Sequence, residues 1–184
     1  MKKMLLALLV MALAFVPAAF ADTFTFTYTG NDDVTASGTL SGFATTNCLG
    51  QWPGCFNITG GNVSITGPIS GSGSLISGPN PPRSYYTSPN GAFWYDDLLA
   101  PGGTPLLTNN GLLFDLGSGR EVNIFSVGST VYQLYEGVAG PSWPFSDNGS
   151  FSVASAVPEP SSLALFGVGF FGAVSWARRR FLSV

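Results

Sequence analysis

The sequence predicts an all-β body, a β-sandwich with a closed barrel as the alternative. Three observations carry that expectation. Phe24, Phe26 and Tyr28 alternate with Thr23, Thr25 and Thr27, the period-two signature of a strand with one buried face. No stretch between residues 22 and 156 places apolar residues at helical spacing. Glycine is frequent, 24 in a chain of 184 residues, and it separates short apolar runs as turns do. About eight short strands divided by such turns suit two stacked sheets or a closed ring.

The chain opens with Lys2 and Lys3, an apolar stretch over residues 4–16, and Ala19-Phe20-Ala21. That is the layout of a secretory signal peptide with an A-x-A cleavage site, Ala19 and Ala21 being the small residues read before the cut. Residues 1–21 are therefore expected to be removed, leaving an exported all-β domain over residues 22–156. In that domain the aromatic strand is followed by the turn-like Gly30-Asn31-Asp32-Asp33. Val34, Ala36, Gly38 and Leu40 then alternate with Thr35, Ser37 and Thr39, completing a hairpin. Weaker strands are expected over residues 56–58, 63–66, 92–95 and 111–116. Val122 and Ile124 lead through Gly128-Ser129 to Tyr132 and Leu134, a second hairpin, and residues 150–153 give a last short strand. The proline-rich residues 67–89, and residues 100–110 around Pro101-Gly102-Gly103, are expected to be surface connections.

Charge narrows the function classes. Of the seven basic residues only Arg83 and Arg120 lie in the body, against nine acids, a formal charge of −7. Nucleic acid and anionic lipid demand a basic footprint and are excluded as partners. Cations and neutral sugars remain compatible. The chain has no histidine, which removes the usual general base and the Ser-His-Asp and Cys-His devices. Cys48 and Cys55, in an exported protein, are read as a disulfide; a metal site is the alternative, but the chain has no second cysteine pair and no histidine to complete four ligands. A carboxylate-only hydrolase would have to draw on Asp96, Asp97, Asp115 and Glu121. Adjacent Asp96 and Asp97 point to opposite faces of a strand, so acids in water at turns and strand ends are the simpler reading. No catalytic residue, cofactor or metal site is assigned, and no enzymatic activity is expected. Two binding readings stay open. Asn31-Asp32-Asp33 or Asp96-Asp97 could offer oxygens to Ca²⁺, and Trp52, Trp94, Tyr85, Tyr86 and Trp143 could stack on sugars.

The C-terminal residues are of another kind. Val157-Pro158-Glu159-Pro160 precedes a nearly unbroken apolar run over residues 161–177, and Arg178-Arg179-Arg180 follows. A helix of that length covers about 25 Å, the short end of a bilayer span. The arginines act as a stop-transfer cluster and hold the cytoplasmic side. Pro158 and Pro160 keep the box extended outside any helix.

These residues resemble the sorting tail of the PEP-CTERM proteins, exported bacterial proteins read by the membrane protease-transpeptidase exosortase. Tyr95-Asp96-Asp97-Leu98-Leu99, Gly111-Leu112-Leu113-Phe114, Val122-Asn123-Ile124 and Tyr132-Gln133-Leu134-Tyr135 are similar, more loosely, to the bodies of small members of that group. The resemblance implies a sorting tail over residues 157–184 with Val157, Pro158, Glu159 and Pro160 as its recognition box. It further implies exosortase and the export machinery as partners and transit of the inner membrane through one C-terminal helix. The destination it implies is the cell surface or a polysaccharide-containing extracellular matrix. The expected role is that of a structural surface or matrix protein, with a carbohydrate- or calcium-binding module as the alternative.

Overall fold

A computed structural model describes residues 21–46, 48, 54–78, 85–138 and 142–156. The expected sorting tail and the signal peptide up to residue 20 lie outside the described residues, as does Arg83. Among the described residues no helix is long and apolar enough to cross a membrane.

The aromatic run forms β1 (Asp22–Gly30) and its hairpin partner forms β2 (Thr35–Thr45), paired antiparallel from Asp22↔Gly42 to Thr29↔Thr35. β3 (Cys55–Thr66) follows, then β4 (Gly71–Leu75), β5 (Tyr86–Thr87), β6 (Trp94–Tyr95) and β7 (Leu98–Leu99). The second half supplies β8 (Leu112–Gly117), β9 (Arg120–Ser126), β10 (Tyr132–Val138) and β11 (Ser142–Ala156). The main sheet runs β2-β1-β11-β10-β9-β8-β4-β3, and β2 also pairs with β3, so the ring closes. β7 is an added strand on β3, and β5 with β6 makes a separate hairpin. The all-β expectation holds, and of its two architectures the closed ring is the one adopted.

Period-two burial explains the closure. Phe24, Phe26 and Tyr28 are all buried, while the intervening threonines are exposed. Inside the ring they meet Leu40, Ile58, Ile65, Phe114, Val122, Ile124, Leu134 and Phe151. The Phe26 ring lies 5.8 Å from that of Phe114 and 5.6 Å from that of Phe151, both stacked. Each such ring contributes about 1.5–3 kcal/mol by leaving water. Gly38 is required opposite them: a Cβ there would overlap the Asn62 carbonyl and the Phe26 ring.

Several boundaries differ from expectation, each for a physical reason. The strands expected over 56–58 and 63–66 are one strand, β3, whose central Gly60 and Gly61 hide the alternation. Residues 71–75, expected to be loop, are β4; their glycines and serines let two neighbouring backbones approach. A Cβ at Gly73 would overlap the Asp115 carbonyl. The turn expected at Gly128-Ser129 is longer, closed by Val127 N–H donating to the Val131 carbonyl at 3.1 Å. β11 is 15 residues long rather than four. Its first half pairs with β10 and its second with β1, changing partner at Gly149, so one strand turns a corner of the ring.

The disulfide forms as expected: Cys48 and Cys55 are bonded with Cα atoms 5.9 Å apart. They are buried against Leu98 and Ala100, at the edge where β7 joins β3.

Candidate functional site

The outer face of β8, β9 and β10 is not left to solvent. Leu113, Asn123, Phe125 and Tyr135 alternate with the interior residues of those strands, and the β5–β6 hairpin lies over part of this face. The hairpin is itself two-sided. Tyr86 and Tyr95 pair at 5.6 Å and join Phe93 and Leu113 in a small second core outside the barrel. Tyr85 and Trp94 stay exposed and pair with each other at 5.2 Å. Tyr86, expected as a sugar-stacking ring, is therefore half-buried core. The other two rings are displayed. The side chains of Trp52 and Trp143 lie outside the described residues.

Polar side chains hold the hairpin in place. Ser88 Oγ donates to Asn90 Oδ1 at 2.9 Å, and the same Asn90 oxygen accepts from Ala92 N–H at 2.8 Å, which fixes the hairpin turn. Asn90 N–H donates to Glu121 Oε1 at 3.1 Å. Asn123 Nδ2 donates to the Trp94 carbonyl and to the Asn110 carbonyl, each at 3.0 Å, stitching hairpin and 100–111 loop to β9.

The expected carboxylates divide differently from the sequence reading. Asp96, Asp97 and Glu121 are buried, so the picture of acids in water fails for them; Asp115 is exposed. Asp96 Oδ2 accepts from Thr108 Oγ1 at 2.6 Å and from Asn110 Nδ2 at 3.2 Å, and Oδ1 accepts from Leu98 N–H at 3.2 Å. Asp97 sits at a φ of 58° and its Oδ2 accepts from Gly78 N–H at 2.7 Å. The two carboxylates serve different backbone segments and do not form a pair. Burial pushes Asp96 up to about 6, partly offset by the Thr108 hydrogen bond, and pushes Asp97 up to about 8. Burial raises Glu121 as well. These groups brace loops, a role invisible in the sequence because most of their donors, Thr108, Asn110, Gly78 and Asn90, lie 12 to 31 residues away.

The calcium candidates also separate. Asp32 and Asp33 are exposed. The Asn31 and Asp32 N–H groups donate to the buried Asp147 carboxylate at 3.2–3.3 Å, so Asp147, not assigned from sequence, organises that turn. Tyr28 OH donates to the Asp147 carbonyl at 2.9 Å. Among the described residues no three His, Cys, Asp or Glu side chains form a metal-sized group.

A cleft of about 460 Å³ opens between the hairpin, the 100–111 loop and β9–β10. Phe93, Trp94, Asn109, Asn110, Phe125 and Tyr135 line it, and none of its lining residues is charged. Phe125 and Tyr135 meet edge-on, 5.3 Å apart at 88°.

The body is thus a closed β-barrel carrying an aromatic cleft on its outer wall. Beyond it, the family model described as the PEP-CTERM protein-sorting motif matches residues 156–180. The chain carries that motif, which indicates an exported protein targeted to exosortase. No curated protein and no solved structure matches the chain.

Proposed function

We propose that the protein is a non-enzymatic structural module of the cell surface or extracellular matrix, delivered through the inner membrane and processed by exosortase. The observation that carries this reading is where the motif begins. β11 ends at Ala156, the first matched residue, and only Val157 separates it from the Pro158-Glu159-Pro160 box. That connection reaches at most about 7 Å. Ala156 also pairs with Thr23, one residue from Asp22, the expected mature N-terminus. The two segments read as export signals therefore join the barrel at neighbouring positions. A barrel whose strands are paired around a ring offers little open sheet edge, which suits a body that is tethered, released and kept from pairing with its neighbours.

In this reading residues 161–177 cross the membrane and Arg178, Arg179 and Arg180 hold its cytoplasmic end. Both Asp96 oxygens and one Asp97 oxygen accept from loop N–H or hydroxyl groups, which supports a structural over a hydrolytic role. The test is the intact mass of the protein in surface, medium and inner-membrane fractions of its host. A species beginning at Asp22 and ending near the box is expected outside the inner membrane. A species ending at Val184 and confined to the inner membrane would make the tail a plain anchor.

A further inference from the structure

Trp94 is 61 % exposed yet firmly placed. Its backbone pairs with Thr87, its carbonyl accepts from Asn123 Nδ2 at 3.0 Å, and its ring contacts Tyr85 at 5.2 Å. Leaving so large an apolar surface in water forgoes the gain that burying it would bring. Tyr86 and Tyr95 on the opposite face of the same hairpin show that burial was available. A fixed, displayed indole beside a cleft is the arrangement of a surface built to receive a flat ligand.

We propose that this cleft is a binding site for a neutral saccharide. Pyranose rings present patches of C–H that lie against aromatic faces, and Trp94, Phe125 and Tyr135 supply rings along one cleft. Saccharide hydroxyls require both donors and acceptors, which asparagine amides provide together. Exposed Asn109 stands at the cleft, and Asn110 beside it is fixed through Asp96. The volume of about 460 Å³ falls within the roughly 300–1,000 Å³ of small-ligand sites. Charge selects the neutral class: no lining residue is cationic, and a body at −7 repels acidic polysaccharide. This site is independent of the tail, so it stands or falls apart from the sorting reading.

The test is affinity electrophoresis of the full chain, held in a detergent without a sugar headgroup, in gels containing hydroxyethylcellulose, pullulan or galactomannan. Alginate serves as the anionic comparator. At least one neutral polymer should retard the protein and alginate should not. Trp94→Ala should weaken that retardation about tenfold or more, with Trp94→Phe keeping most of it and both variants melting like the parent. Glu159→Ala should leave retardation unchanged. Passage through all three neutral gels unretarded, retention by alginate alone, or full binding by Trp94→Ala would each overturn the proposal.

Discussion

The carboxylate of Asp97 accepts a hydrogen bond from the Gly78 N–H at 2.7 Å, and its other oxygen is buried without a partner among the described residues. One bond does not offset the loss of water around a charge, so burial lifts the group from 3.8 to about 8. Between those values the folded chain holds a proton that the unfolded chain has released. The stability from this group is fully present below 3.8 and is lost as pH rises through about 8. Melting temperature is therefore expected to fall from pH 6 to pH 9. Asp97→Asn, which tolerates the same positive φ, should flatten that fall and be about 1–3 kcal/mol more stable than the parent at pH 9. An unchanged slope in the variant would place its origin elsewhere.

Thr108 does three things with one hydroxyl. It donates to Asp96 at 2.6 Å and accepts from the Asn110 and Gly111 N–H groups at 3.1 and 2.9 Å. Thr108→Val keeps the shape and removes all three bonds, at an expected cost of about 1–3 kcal/mol in denaturant unfolding. The hydroxyl also holds Asp96 down, so carboxyl-carbon NMR titration of the variant should find Asp96 above its parent value of about 6.

How much of this was legible in the sequence depends on whether burial is one-sided and local. Phe24, Phe26 and Tyr28 announce β1 because every second residue enters the barrel and the threonines between them face water. β4 gives no such signal: Gly71 to Leu75 is held by backbone pairing to β3 and β8, which short side chains permit but do not advertise. The buried acids were illegible for a different reason. Nothing near Asp96 and Asp97 in sequence distinguishes a solvated turn from a strut, since Thr108 and Gly78 supply the deciding hydrogen bonds. Trp94 and Tyr85 were legible as displayed rings and are exposed, whereas Tyr86, raised with them, turns inward onto Tyr95, a contact its own sequence neighbours do not announce. The tail was legible outright, being a linear signal whose order needs no fold.

The disulfide stabilises locally. Cys48 and Cys55 close a short loop, for which chain entropy gives about 2.5 kcal/mol at most. Replacing both by alanine should cost about that much while leaving the barrel assembled. Hydrogen exchange should localise the loss: amides of Leu98 and Leu99, beside the staple on β7, lose protection, whereas those of Val122 and Ile124 on β9 keep it. Uniform loss across both strands would mean the staple supports the whole ring.

On the proposed sorting reading, Glu159 is the residue that separates recognition from insertion. The motif match spans box, apolar run and arginines as one unit, residues 156–180. Ahead of the arginines only the box carries a charged side chain, Glu159, because the apolar run has no ionisable group. Insertion depends on apolar length and on the arginines, which Glu159→Ala leaves untouched. The variant should therefore enter the membrane normally and remain unprocessed there, with the mass of a chain still ending at Val184. Replacing Arg178, Arg179 and Arg180 together by glutamine should produce the complementary defect, loss of the stop-transfer hold with the box intact. Processing of Glu159→Ala at the parent rate, followed by pulse-chase and intact mass, would show that the box is not what exosortase reads.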